Sequence, residues 1–254
     1  MQSYTRFSLT LAAILGAACT PAKDSAVTTT TDQGVSASPS GKVAAQRDHS
    51  MIRVVNAVPN GPDMTLLADE RTIFDKVAGS EVTAYKEMGD NAVKFSVRRS
   101  DQPSAAGEAV NREVMGDGQR YTAVVLPADT HGEMGLRVLH DELTPAAGKA
   151  RIRVIHAAAG AGEVDIAMTG HTDELFSGIN YGNEAGYKDV DPTFGTLEVR
   201  RKNERLQLAT VKDMKLEPGT AYTVVIVGGP KLPLKALTFE DHPAPVTTDV
   251  TVNQ

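Results

Sequence analysis

The sequence predicts an all-β protein in which two tandem antiparallel β-sandwiches follow a signal peptide and a disordered tether. Short runs rich in Val, Ile, Tyr and Thr recur about every 8–14 residues, with Gly, Asp, Asn and Pro between them, which is typical of sandwiches built from short strands. The folded part also repeats itself at an offset near 100 residues, which indicates two copies of one unit. No stretch has the apolar period of a long amphipathic helix.

Composition fits this class and excludes others. Hydrophobic residues are 41% and charged residues 23% of the 254 residues, as in an ordinary globular chain. A single Cys excludes an intrachain disulfide and a multi-cysteine zinc site. The formal net charge of −6 excludes a typical nucleic-acid partner, because phosphate binding needs a concentrated positive surface. Trp is absent and aromatics are 5%, so an extended stacking platform for sugars or bases is not expected.

Residues 1–18 have the features of a secretory signal peptide. Arg6 is followed by a mainly apolar run from Phe7 to Ala18. That run is too short for a permanent membrane-spanning helix, which needs about 20 residues. It fits the apolar region of a signal peptide instead.

The signal peptide ends in Gly-Ala-Ala followed by Cys19. This ending resembles a bacterial lipobox, the recognition sequence of signal peptidase II. The resemblance implies that Cys19 becomes the first mature residue and carries acyl chains such as palmitate, which hold the protein at a membrane of the bacterial cell envelope. Thr20 rather than Asp follows the cysteine, which favours the outer membrane. The alternative is an ordinary secretory signal with a cysteine there by chance.

Residues 19–48 are predicted to be a flexible tether. They are rich in Thr, Ser, Ala, Gly and Pro and lack large apolar side chains, so they cannot bury enough surface to become ordered. A flexible chain of about 28 residues has an r.m.s. span of roughly 30 Å. Such a tether would hold a folded body clear of a membrane.

Two related units follow the tether. Met51–Ala57 matches Arg151–Ala157 at an offset of 100. We predict repeat 1 at 49–145 and repeat 2 at 149–243, with 244–254 as a C-terminal tail or edge strand. The join between the repeats is short and turn-forming, so we expect the repeats to touch.

The match continues at slightly different offsets. Asp63 aligns with Asp165 at an offset of 102, and Leu136 aligns with Leu234 at an offset of 98. Offsets that drift by a few residues are expected where loops vary in length and strands do not.

Two strands of repeat 2 can be predicted in detail. Leu197 and Val199 alternate with polar residues, which predicts one buried and one solvated face. Residues 222–227 are apolar on both faces, which predicts a central strand.

The sequence L-x-P-G-T-x-Y at 216–222 resembles the tyrosine corner of immunoglobulin-like sandwiches, in which the hydroxyl bonds to backbone a few residues upstream. Repeat 1 has a weaker form at 115–121 that lacks the Pro. Tyr222 and Tyr121 are therefore expected to be structural, and the two sandwiches to be immunoglobulin-like.

Repeat 2 as a whole is similar to the domain of unknown function 4397 family. The similarity rests on residues 152–158, on Val164-Asp165-Ile166, on Tyr181-Gly182 and on the Gly219-x-x-Tyr222 strand. It covers nearly all of repeat 2 and, more loosely, repeat 1. The resemblance implies a secreted or surface-anchored bacterial domain, often in tandem. It implies no chemistry, since the family has no assigned activity.

His156, Glu163 and Asp165 form the strongest candidate for chemistry. A histidine with two carboxylates can bind a metal or act as a base. The alternative is structural: His156 bonds a loop carbonyl, and Asp165 fixes a turn by accepting backbone N–H groups. Asn56 stands where repeat 2 has His156, which favours the structural alternative, because Asn is a poor base and a poor zinc ligand.

Two arginine doublets end equivalent strands. These are Arg98-Arg99 and Arg200-Arg201. They can receive an anionic polymer, such as a polysaccharide or a phosphate-bearing lipid. The alternative is that they pair with local carboxylates and protect strand edges.

The sequence contains no G-x-S-x-G or S-x-x-K nucleophile motif. We therefore expect no catalysis, no cofactor and no dedicated metal site. The leading hypothesis is a non-catalytic binding or scaffolding module of the bacterial envelope, with an unknown envelope protein or polysaccharide as partner. The alternatives are an envelope enzyme or metal-dependent binder centred on the His156–Asp165 loop, and a purely structural spacer.

Overall fold

The computed structural model describes residues 49–242, with some positions in that range left out. Those positions are 90, 105, 106, 130, 132, 171, 172, 205, 230 and 231. The described chain consists of strands, turns and loops, and no helix in it is long and apolar enough to cross a membrane. The predicted signal peptide, Cys19, the tether and the tail 244–254 lie outside the described residues.

Repeat 1 is a sandwich of two four-stranded sheets. Its strands are β1 (Ser50–Asn56), β2 (Met64–Ala68), β3 (Arg71–Val77), β4 (Lys86–Met88), β5 (Ala92–Arg99), β6 (Ala109–Val114), β7 (Arg120–Leu126) and β8 (Gly135–His140). The sheets have the strand orders β3-β2-β5-β6 and β4-β1-β7-β8. Ile52, Phe95 and Ala123 belong to the apolar core between them.

Repeat 2 has the same architecture. Its strands are β9 (Ala150–Ala158), β10 (Val164–Met168), β11 (Glu174–Ile179), β12 (Glu184–Val190), β13 (Thr193–Arg201), β14 (Gln207–Leu216), β15 (Ala221–Gly229) and β16 (Leu232–Asp241). The sheets have the strand orders β11-β10-β13-β14 and β12-β9-β15-β16. Ile152, Ile166 and Val224 belong to its core.

The prediction of two tandem β-sandwiches is confirmed, with one difference in strand direction. Most strand pairs are antiparallel, but β1 pairs parallel with β7, and β9 pairs parallel with β15. Alternation along a strand predicts which face is buried but not which strand lies beside it. A parallel pair needs a long crossover connection, which the rest of each repeat supplies.

The two strands predicted in detail behave as expected. Leu197 and Val199 on β13 are fully buried, and the polar residues between and beside them are only partly covered. β15 lies between β9 and β16, and its residues Tyr222 to Val227 are all buried. A strand that is covered on both faces needs no polar alternation, and its sequence shows none.

Both predicted tyrosines bond to backbone upstream of their strands. The Tyr222 hydroxyl accepts the Glu217 N–H at 2.9 Å. The Tyr121 hydroxyl accepts the Gly116 N–H at 3.0 Å and donates to the Val114 carbonyl at 3.2 Å. These bonds tie the start of the central strand to the chain that leads into it.

Strand register corrects the alignment of the last strands. Tyr121 pairs with His140, and Tyr222 pairs with Glu240, so His140 corresponds to Glu240 at an offset of 100 and not 98. A shift of two residues leaves the buried face of a strand unchanged, because side chains alternate with a period of two. Apolar matching alone therefore could not detect the shift.

Register also corrects the alignment of Asp165. Asp165 pairs with Arg200, and Thr65 pairs with Arg98. Thr65, rather than Asp63, is therefore the structural equivalent of Asp165. Asp63 lies just before β2, outside the strand.

Candidate functional site

His156 closes the loop that follows its own strand. Its Nδ1 accepts the Ala158 N–H at 3.2 Å, and its Nε2 lies 2.9 Å from the Gly162 carbonyl oxygen. The two bonds together require the neutral ring with its proton on Nε2. Burial lowers the pKa of His156, which also favours this neutral form.

Asn56 makes the same pair of bonds in repeat 1. Its Oδ1 accepts the Val58 N–H at 3.2 Å, and its Nδ2 donates to the Pro62 carbonyl at 3.3 Å. The partners lie two and six residues further along the chain, as they do for His156. An amide and a neutral imidazole thus serve one structural purpose at equivalent positions.

Glu163 and Asp165 do not join His156. Glu163 forms an ion pair with Lys202. Asp165 Oδ1 accepts the Ser177 hydroxyl at 2.9 Å and the Gly178 N–H at 2.7 Å. Among the described residues, no group of three or more His, Cys, Asp or Glu side chains is placed to hold a metal ion. The three candidates therefore lie in three separate environments.

Both arginines of the second doublet, Arg200-Arg201, bond to neighbouring groups. Arg200 Nε lies 3.0 Å from the Glu198 carboxylate, and this bond lowers the pKa of Glu198. Arg201 Nη1 lies 3.6 Å from Glu204, and its Nε donates to the Ala161 carbonyl at 3.3 Å. The geometry matches the alternative in which these arginines pair locally.

Asp165 and Arg200 do line a common groove. It has a volume of about 610 Å³ and lies on the β11-β10-β13-β14 sheet. Carboxylates dominate its lining, with Glu174, Glu198 and Glu204 beside Asp165. The structure thus unites two predicted site residues but leaves His156 and Glu163 elsewhere.

Four charged side chains, all largely buried, gather where the two repeats meet. Arg53 of repeat 1 donates from Nη1 and Nη2 to both carboxylate oxygens of Asp241 in repeat 2, at 2.9 and 2.8 Å. Arg153 of repeat 2 donates to Asp141 of repeat 1 at 2.5 Å. We call these four residues the inter-repeat clasp. Each repeat supplies one arginine and one aspartate, at sequence offsets of 100.

Thr122 connects the two halves of the clasp. Its hydroxyl oxygen accepts from Arg53 Nε at 2.9 Å and from Arg153 Nη2 at 3.1 Å, and the hydroxyl donates to Asp141 at 2.7 Å. The side chains of Arg153 and Asp141 are both 0% exposed. Buried charges are tolerated when their hydrogen-bonding capacity is met in this way.

Aromatic rings cover both arginines. The Arg53 guanidinium carbon lies 4.5 Å from the centroid of the Tyr85 ring, and that of Arg153 lies 4.7 Å from the centroid of the Tyr187 ring. Tyr85 donates its hydroxyl to Asp141 at 2.6 Å. Burial and this carboxylate raise the pKa of Tyr85, and burial raises the pKa of Tyr187 to about 12.

An apolar cluster with members from both repeats confirms that the repeats touch. Its buried members are Val55, Ala57, Val124 and Leu126 from repeat 1 and Ile155, Ala157, Val225 and Val227 from repeat 2. The β4-β1-β7-β8 and β12-β9-β15-β16 sheets therefore pack face to face through their outer sides. The interface is isologous, because both repeats use equivalent residues.

Sequence patterns do not single out the clasp, since its partners lie in different repeats. One signal is available. Arg53 lies within M-I-R-V-V and Arg153 within R-I-R-V-I, so a charge flanked by apolar residues occupies the same position in two equivalent strands. A buried charge requires a partner, and a repeated one indicates a repeated interface.

Loops of both repeats line two pockets beside this interface, which share Ala159 and which we call together the inter-repeat cleft. Its apolar part, of about 270 Å³, is lined by side chains that include Val58, Pro59, Pro127, Ala128 and Leu232. Its polar part, of about 490 Å³, is lined by side chains that include Asp129, His131, Glu163, Asn180 and Tyr181. Ala159 lines both parts.

Tyr181 joins the walls of the cleft. Its hydroxyl donates to the Pro127 carbonyl of repeat 1, and its ring meets the His156 ring edge-on with centroids 6.2 Å apart. Burial and the nearby Asp129 carboxylate raise the pKa of Tyr181 to about 12. The hydroxyl therefore stays protonated near neutral pH and keeps this bond.

The fold and the interface define a tandem β-sandwich protein whose repeats pack together through equivalent surfaces. Residues 50–167 match the family described as Domain of unknown function (DUF4397). This match confirms the predicted resemblance to that family for residues 50–167. The matched range covers the strands of repeat 1 and the beginning of repeat 2, whereas the motifs quoted for the resemblance lie mostly in repeat 2.

Three crystal structures of Bacteroides proteins named "putative cell adhesion protein" are similar to the chain. The protein from B. uniformis ATCC 8492 is 10% identical, with 76% of this chain and 97% of that chain covered and a TM-score of 0.27. The B. ovatus ATCC 8483 protein is 11% identical, with coverages of 78% and 98% and a TM-score of 0.22. The B. fragilis NCTC 9343 protein is 11% identical, with coverages of 78% and 98% and a TM-score of 0.17. No curated protein matches the sequence.

Proposed function

We propose that this protein is a non-catalytic binding module of the bacterial cell envelope, held at the outer membrane by lipid on Cys19. Its binding face is the inter-repeat cleft, and its partner is an envelope protein or polysaccharide. The observation that carries this proposal is that loops from both repeats line the cleft. Ligands commonly bind between domains, on loops that a rigid scaffold positions.

The inter-repeat clasp supplies that rigid scaffold. Two largely buried arginine–aspartate pairs and the apolar cluster join the repeats beside the cleft, so its walls keep their spacing. A preorganised site loses less entropy when it binds a ligand than a site that must first close. The geometry thus favours ligand binding without rearrangement of the residues that line the cleft.

His156 supports the non-catalytic part of the proposal. A general base needs a nitrogen within reach of the proton that it removes. Both ring nitrogens of His156 already bond to the loop, and the side chain is buried. Its neighbours Glu163 and Asp165 are engaged with Lys202 and Ser177.

Binding to isolated bacterial envelopes tests the cleft. The full chain carries Cys19→Ala, so that lipid insertion does not contribute. We expect saturable binding that Asn180→Ala weakens about tenfold, because the substitution removes an amide that lines the polar part. Asn183→Ala is the matched control: Asn183 is exposed in the same loop, and its side chain is outside the lining of the cleft. Absent binding, or an equal effect of both substitutions, contradicts the proposal.

Fractionation tests the anchor. The protein with Cys19 is expected in the membrane fraction and labelled by palmitate in growing cells. With Cys19→Ala it is expected in the soluble fraction and unlabelled, because the net charge of −6 gives no attraction to anionic lipid. A Cys19→Ala protein that stays membrane-bound contradicts the lipid anchor.

A further inference from the structure

We infer that the inter-repeat cleft binds a neutral saccharide, an inference that rests on the binding role proposed above. The polar part of the cleft receives sugar hydroxyls, and the apolar part receives the C–H face of a sugar ring. A sugar ring combines hydroxyl groups with an apolar C–H face. The cleft likewise has polar side chains in one part and a mostly apolar lining in the other, and Ala159 lines both.

The polar part offers both donors and acceptors. The exposed Asn180 amide can do both, while the Glu163 carboxylate accepts. Asp129 Oδ1 accepts the N–H groups of His131 and Glu133 at 2.7 and 3.1 Å, which fixes this carboxylate at the edge of the cleft. Hydroxyl groups, which both donate and accept, match such a set better than a ligand that only donates or only accepts.

Charge argues for a neutral ligand. Among the described residues that line the cleft, Asp129 and Glu163 carry carboxylates and none is Lys or Arg. Lys202, outside the lining, pairs with Glu163. The chain as a whole carries a net charge of −6. A uronic-acid or phosphate polymer would be repelled by this potential, whereas a neutral sugar needs no counter-charge.

The apolar part supplies a small, rigid surface. Two prolines and Ala128 lie on the side of repeat 1, and Leu232, which is 37% exposed, lies on the side of repeat 2. Proline rings and small aliphatic groups lose little entropy when they are covered. Tyr181 adds an aromatic ring to the lining, and its hydroxyl donates to the Pro127 carbonyl, so the ring is fixed.

Two treatments of the envelopes test the ligand class. Periodate cleaves vicinal diols and destroys most sugars, whereas proteinase K removes proteins and leaves polysaccharide. The full chain with Cys19→Ala is titrated onto untreated, periodate-treated and protease-treated envelopes. We expect periodate to lower the bound amount at least about tenfold and protease to leave it unchanged. The periodate-sensitive binding should be about tenfold weaker for Asn180→Ala and unaltered for Asn183→Ala.

The outcomes separate this inference from the proposed function. Binding that protease removes and periodate spares overturns the saccharide and leaves the binding module intact. Periodate-sensitive binding that falls steeply with added NaCl overturns the neutral ligand, because it indicates a charged polymer. Absence of saturable binding to untreated envelopes overturns the proposed function itself.

Discussion

Repeat 1 and repeat 2 share their strand order but meet the same local requirements with different side chains. In repeat 1 the Thr65 hydroxyl on β2 donates to Asp75 on β3 at 2.8 Å. In repeat 2 the carboxylate is Asp165 on β10 and the hydroxyl is Ser177 on β11, at 2.9 Å. The same cross-strand bond is made with donor and acceptor exchanged. The two repeats therefore share the interaction at these equivalent positions, although the amino acids that make it differ.

The cleft shows where the repeats differ in shape. Gly182 donates to the His156 carbonyl and Ser80 donates to the Asn56 carbonyl, so Tyr181 stands where repeat 1 has Gly79. A Cβ atom at Gly79 would lie 2.5 Å from a backbone oxygen, which excludes a tyrosine there. The interface is nearly symmetric, but only repeat 2 has an aromatic side chain, that of Tyr181, at this position.

The clasp provides the strongest test of this quasi-symmetry, because its two ion pairs are buried to different degrees. Asp141→Ala should destabilise the full chain by about 3–5 kcal/mol, since it leaves the buried Arg153 charge without its main partner. The free energy of unfolding from urea denaturation measures this loss. A loss below about 1 kcal/mol would mean that water or Glu184, 3.6 Å from Arg153, replaces Asp141.

Asp241→Ala, at the equivalent position, should cost less, about 1–3 kcal/mol. The Asp241 side chain is 12% exposed, and Arg53 keeps its bond to Thr122 and the contact with the Tyr85 ring. The same denaturation experiment gives the difference between the two variants. Equal losses would show that the two halves of the clasp are energetically equivalent despite their different burial.

Prediction from sequence succeeded where a pattern is local. The alternation at Leu197 and Val199 and the all-apolar run at 222–227 each describe a single strand. The repeat at an offset near 100 is read by comparing short segments of the two copies. The clasp could not be predicted in the same way. Arg53 and Asp241 are 188 residues apart, and only face-to-face packing of the two repeats brings them together.

The equivalence of Asn56 and His156 predicts an asymmetric substitution series. His156→Asn should cost well under 1 kcal/mol, because the amide can make the bonds that Asn56 makes, whereas His156→Ala should cost about 1–3 kcal/mol. Thermal or urea unfolding measures both. Similar losses for Asn and Ala would mean that the loop needs the imidazole itself.

Lowering the pH tests the same comparison between His156 and Asn56, because only repeat 2 has a titrating group at this position. Burial lowers the pKa of His156 in the folded state, so the unfolded chain binds its proton first as the pH falls. The stability from this group is therefore present above the unfolded pKa of about 6.5 and is lost as the pH falls toward the folded pKa. The His156→Asn variant should show a shallower loss of stability between neutral and mildly acidic pH. Unchanged pH dependence would contradict a neutral, buried His156.

The two tyrosine corners give the smallest expected difference in stability between the repeats. They test whether the sequence motif or the number of hydrogen bonds determines how much a corner stabilises the fold. Repeat 2 has the stronger motif, with Pro218, yet the Tyr222 hydroxyl makes one backbone bond, to the Glu217 N–H. Tyr121 lacks the proline but bonds two backbone groups. If hydrogen bonds decide, Tyr121→Phe should cost about 1–2 kcal/mol and Tyr222→Phe about 0.5–1.5 kcal/mol. Urea denaturation of the two variants measures the difference. A larger loss for Tyr222→Phe would show that the proline-containing corner contributes more than its single bond, since the rigid turn aims the remaining N–H at a hydroxyl that is no longer there.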